Sequence, residues 1–106
     1  MRVQLLYFVG CPHVDATRRV LRDALEAAGV ADTVVEELDV EAASTPAAFR
    51  GWGSPTILID GVDLMGERRP EGLSCRLYGE EGRLGVPPQD LVEERLRRAQ
   101  ATGRAR

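Results

Sequence analysis

Lysine and asparagine are both missing from the 106 residues, so all 14 basic side chains are arginine, and the one histidine is His13. The two absences fit the codon bias of a GC-rich genome and a thermophile's avoidance of thermolabile amides. Neither bears on mechanism. Long apolar runs are missing too: nothing approaches the ~20 consecutive residues of a membrane-spanning helix. The N-terminus lacks the charged, long apolar and small-residue pattern of a secretory signal, since the apolar run at 3–9 is short and ends at Gly10-Cys11-Pro12. A cytoplasmic protein is therefore expected, in a compartment that keeps thiols reduced. Excess positive charge is also lacking. A net charge of −3 and a pI near 5.2 argue against nucleic acid as an electrostatic partner. The chain has only two cysteines, which in a reducing compartment are expected to be chemical rather than structural. Cys11, His13 and Cys75 do not have the spacing of a structural zinc site, and neither a metal nor a cofactor is expected.

A chain of this length makes one domain with one core, and it contains no internal repeat. Residues 2–9 are apolar on both alternating faces (Val3, Leu5, Tyr7, Val9 against Leu6, Phe8), the pattern of a central strand covered on both sides. Residues 12–28 change to helical spacing, with Val14, Leu21, Ala24, Leu25 and Ala28 inward and Arg18, Arg19, Arg22 and Glu26 outward. Pro12 suits the first helical position and Gly29 the stop. Residues 33–40 read as a second strand, parallel to the first after a helical crossover. Residues 45–51 read as a short helix capped by Thr45, with Pro46 first and Phe49 as anchor. Ile57-Leu58-Ile59, Asp60-Gly61 and then residues 62–65 form a hairpin signal, because Asp-Gly tolerates the positive φ angles of a type I′ turn. Residues 66–87, rich in charge, glycine and proline, read mostly as loop, with a short turn of helix near 73–78. Pro87-Pro88 opens a last helix to about Ala101, with Leu91, Val92, Leu96 and Ala99 inward and a frayed tail after it. The expected fold is α/β: a four-stranded mixed sheet flanked by helices, in the order β-α-β-(α)-β-β-α.

Cys11 stands where the first strand hands over to a helix. There, unpaired N–H groups and the positive end of the helix dipole favour a thiolate, the reactive form of cysteine. Pro12 removes one donor and leaves the N–H groups of His13 and Val14 to face the sulfur. The competing reading is a small buried hydrophobe closing the strand end. His13 is expected to be a solvated side chain on the first turn rather than a partner of Cys11, because residues two apart on a helix do not face each other.

Gly10-Cys11-Pro12-His13-Val14, together with Gly53-Ser54-Pro55-Thr56-Ile57-Leu58-Ile59-Asp60-Gly61, resembles the thioredoxin/glutaredoxin superfamily over residues 3–65. The resemblance implies the thioredoxin-like fold and thiol–disulfide redox activity on protein or small-molecule disulfides, with low-molecular-weight thiols as partners. It also implies a cis Ser54–Pro55 bond beside Cys11, with Ser54 and Pro55 as the platform for the substrate main chain and Thr56 flanking it; Pro12 and Trp52, the latter as a surface platform for a partner, are further candidate substrate-binding residues. Without the resemblance, Pro55 reads as a trans proline opening a strand, and Trp52, like Tyr78, as a packing residue. Val14 occupies the place of the family's second motif cysteine, so the site is monothiol.

Cys75 is open to two readings. The Asp60-Gly61 hairpin returns the chain to the end of the sheet where Cys11 lies, so a loop could deliver Cys75 as a resolving thiol. Alternatively it packs the segment 73–78. A segment at 72–78 (Gly-Leu-Ser-Cys-Arg-Leu-Tyr) weakly resembles alkylmercury-lyase-like proteins. It suggests a second function, soft-metal or organomercurial handling by Cys11 and Cys75. A third is a redox-inactive binding module, since fold alone does not confer activity.

Overall fold

The computed structural model of the chain describes residues 1–49, 54–65 and 86–104. Four strands form a single mixed sheet: β1 (Val3–Tyr7), β2 (Val35–Asp39), β3 (Thr56–Ile59) and β4 (Val62–Asp63), in spatial order β2-β1-β3-β4. β2 runs parallel to β1, pairing Val3 with Val35 and Tyr7 with Asp39. β3 runs antiparallel to β1, pairing Val3 with Ile59 and Leu6 with Thr56. This is the α/β, four-stranded mixed sheet expected from periodicity, and β1 is interior to it because both of its faces are buried.

Alternation sorts the core into two layers. Val3 and Leu5 of β1 and Ile57 and Ile59 of β3 meet Leu21, Ala24 and Leu25 of helix α1 (Val14–Ala27) and Val92 and Leu96 of helix α2 (Gln89–Arg104). On the other face Leu6 and Leu58 pack with Val40, and Phe8, Leu38 and Phe49 lie against them. Both described helices thus cover one face, and α1 packs on α2. Among the described residues no helix is long and apolar enough to cross a membrane.

The ends of the elements follow local chemistry. At the end of α1, Gly29 (φ +78°) lets its own N–H reach the Glu26 carbonyl and that of Val30 reach Leu25. This pair of bonds is the Schellman motif, with Val30 completing the apolar contact against the core. Asp60 and Gly61 both have positive φ, 51° and 82°, as a type I′ hairpin demands. Asp60 is further fixed by exchange with Arg2: its N–H donates to the Arg2 carbonyl and its carboxylate accepts the Arg2 N–H, both at 2.8 Å.

Several boundaries differ from expectation. The first strand ends at Tyr7, because Phe8 already opens a turn in which its carbonyl accepts the Cys11 N–H. α1 starts at Val14 rather than Pro12, with His13 at the N-cap. The short helix is one 3-10 turn, Ala47–Phe49, and the Thr45 hydroxyl donates to the Asp39 carbonyl. α2 continues through Arg104, past the expected fraying point. The expected turn of helix at 73–78 and most of the expected loop at 66–87 lie outside the described residues.

Candidate functional site

Cys11 lies on a six-residue connection, 8–13, between the end of β1 and the start of α1. The chain leaves β1 through the Phe8–Cys11 turn, closed at 3.2 Å. Gly10 supplies a φ of +95°, the conformation that the third residue of a type II turn requires. Pro12 and His13 then complete the reversal, and the His13 carbonyl accepts both the Thr17 N–H (3.0 Å) and the Thr17 hydroxyl (2.7 Å). The helix begins at Val14, with His13 as its cap. Cys11 therefore stands ahead of the helix rather than in its first turn, and among the described residues neither the His13 nor the Val14 N–H donates to its sulfur. The thiol is unpaired and only 9% exposed, whereas Pro12 is exposed and His13 half-buried.

The sheet brings a second segment to the same end. Leu6 pairs with Thr56 across antiparallel strands, so continuing the register two residues sets Ser54 opposite Phe8, whose carbonyl anchors Cys11. The Ser54–Pro55 peptide bond is cis. Ser54, Pro55 and Thr56 are all buried, and no protein group among the described residues hydrogen-bonds to Ser54 Oγ. On the far side of β3, the Leu64 N–H bonds to the Ile57 carbonyl at 3.3 Å. Met65 thus arrives at the end of the sheet that holds Ser54 and Cys11, 40% exposed. Among the described residues Val9, at 77%, is another large apolar side chain exposed there. Cys75 and Trp52 lie outside the described residues. So does any meeting of Cys11 with Cys75.

A charged network that the sequence does not reveal flanks this connection. Arg18 of α1 forks onto Glu37 of β2, with Nε donating to Oε1 and Oε2 at 3.0 and 3.1 Å and Nη2 to Oε1 at 2.8 Å. Its Nη1 donates to Asp15 at 2.6 Å, and the guanidinium carbon lies 5.7 Å from the centroid of the Tyr7 ring. The hydrogen bonds that Arg18 donates to Glu37, outweighing the opposing cost of burial, hold Arg18 above the ordinary guanidinium value, and Asp15 adds to this. One strand residue away, Glu36 is held below the usual carboxylate value, first by the Gln4 amide at 2.7 Å and then by Arg2 at 3.3 Å. Periodicity placed Arg18 on the outward face of α1, and its Asp15 partner at i−3 was the only readable signal. Among the described residues no three His, Cys, Asp or Glu side chains converge as a metal site would need.

Comparison with protein-family models, curated proteins and solved structures finds no match to this chain.

Proposed function

We propose that the chain is a small thiol–disulfide redox protein of thioredoxin-like architecture, with Cys11 as the nucleophile. The observation that supports this best is the register of β1 and β3. It sets the Cys11 connection and the Ser54–Pro55 segment at one end of the sheet, although 43 positions separate Cys11 from Ser54 in the chain. In the reaction, the Cys11 thiolate attacks one sulfur of a disulfide. A Cys11–substrate disulfide forms, and the other substrate sulfur leaves as a thiolate. A low-molecular-weight thiolate then attacks the substrate sulfur of that mixed disulfide, forming a new disulfide with it and restoring the Cys11 thiolate; alternatively, Cys75 attacks the Cys11 sulfur, releasing the substrate thiolate and leaving a Cys11–Cys75 disulfide for a low-molecular-weight thiol to reduce.

The main chain at Ser54 and Pro55 would pair with the substrate as an extended segment. Both residues are buried, so the reading requires a local opening at this end before a partner binds. The burial of Cys11 favours a second reading, in which the thiol is a packing residue of a redox-inactive module. Turnover of a small disulfide by wild type, Cys11→Ser and Cys75→Ser separates the two. The redox reading expects Cys11→Ser to abolish turnover. Equal rates for wild type and Cys11→Ser would establish the packing reading.

A further inference from the structure

One guanidinium grips the chain on both sides of the Cys11 connection. Tyr7, under the Arg18 guanidinium, is the last residue of β1, and Asp15, bonded to it at 2.6 Å, is the second residue of α1. Between them run residues 8–13. The remaining Arg18 donors fork onto Glu37, which ties the same point to the edge strand β2. One side chain with partners on three elements thus ties together the two flanks of the connection. Cys11 within it is only 9% exposed.

We propose that Arg18 gates the Cys11 thiol. While its fork and ring contact hold, residues 8–13 stay closed over the sulfur. When they release, the connection opens without unfolding the sheet. The Arg18 and Glu37 side chains are 36% and 37% exposed, so solvent and salt reach the fork and its strength is that of a half-screened pair. Such a contact suits a gate, because it is strong enough to bias the connection and weak enough to release. The inference concerns access to the thiol and holds for any electrophile, whether or not the protein exchanges disulfides.

The test uses the full chain carrying Cys75→Ser, which leaves Cys11 as the one thiol. The rate of alkylation by iodoacetamide is measured under native conditions, with urea unfolding run in parallel. Arg18→Met and Glu37→Gln are each expected to speed alkylation about fivefold, the factor equivalent to ~1 kcal/mol at 1.4 kcal/mol per tenfold. The urea midpoint should not account for that change. Arg97→Met is the control: it removes an i,i+4 pair with Glu93 on α2 and a contact with Ala27, at the opposite end of α1 from Cys11, and it should leave the rate within twofold. Raising salt should accelerate the unsubstituted gate and leave Arg18→Met unchanged. Arg18→Lys, which keeps the charge and loses the fork, should fall between. The proposal is overturned if Arg18→Met and Glu37→Gln alkylate at the parent rate, or if Arg97→Met accelerates as much as they do. Should Arg18→Met fail to fold, Glu37→Gln and the salt dependence decide alone, and salt-independent alkylation would then count against the gate.

Discussion

Replacing Ser54 with alanine should stabilise this protein. Ser54 is 0% exposed, and its hydroxyl has no hydrogen-bond partner among the described residues. A buried polar group without a partner costs roughly 1–3 kcal/mol of desolvation, and alanine removes that cost with no change of backbone preference that a strand start would resist. Against this stand the contacts of one oxygen atom, about five at ~0.1–0.2 kcal/mol each, or less than ~1 kcal/mol in all. The net expectation is a gain of about 1 kcal/mol, which raises Tm by roughly 4 °C in a domain of this size. Urea and thermal unfolding of wild type and Ser54→Ala measure it directly. If the same variant exchanges disulfides more slowly, the hydroxyl is kept at a cost in stability for its part in the site. A loss of stability in Ser54→Ala would refute the reasoning, because it would mean that the hydroxyl contributes a favourable bond in the folded chain.

Two further outcomes follow from the backbone and from the ion pairs. At Gly10 an added Cβ meets nothing within 4 Å, so Gly10→Ala is opposed only by the φ of +95°. It should cost ~1–2 kcal/mol in urea unfolding, and a cost near zero would show that the Phe8–Cys11 turn adopts another conformation in solution. The Glu36 carboxyl, lowered by Gln4 and then Arg2, contributes stability that is fully present above the ordinary unfolded value of ~4.3. That contribution is lost as pH falls through the lower folded value. The stability difference between wild type and Glu36→Gln should therefore vanish in acid, and a carboxyl NMR titration with its midpoint at or above ~4.3 would contradict this.

The elements of this fold were readable where one residue pattern had one physical solution. Val3, Leu5 and Leu6 are apolar on both faces, which only an interior strand satisfies, and the sheet order puts β1 inside. Asp60-Gly61 and Gly29 were readable because few residues accept positive φ, and each terminates its element as expected. Cys11 and Pro55 were found as a pattern, and the sheet brings their segments to one end. The start of α1 was not readable. Pro12 is a good first helical residue, but the first intrahelical bond runs from the Thr17 N–H to the His13 carbonyl, with the Thr17 hydroxyl donating to the same oxygen. That bond depends on a helical geometry that must exist before Thr17 can make it. Arg18 was missed for a related reason: its main partner, Glu37, is 19 residues away on strand β2, and no local spacing announces a pair that only the crossover creates. Cys75, which its sequence position allows as a resolving thiol or a packing residue, lies outside the described residues.

The account stands on Cys11 acting as a nucleophile toward disulfides. The most direct test incubates the Cys75→Ser variant with an excess of an aromatic disulfide, such as 5,5′-dithiobis(2-nitrobenzoate), under native conditions. Release of the coloured thiolate and the intact mass are followed together. The account predicts one thiolate released per chain and one mixed disulfide, mapped by digestion without reductant to the peptide that contains Cys11, and neither when Cys11 is also replaced by serine. A chain that stays unmodified in its folded state, and reacts only after urea unfolds it, would show Cys11 to be a packing residue and would contradict the account.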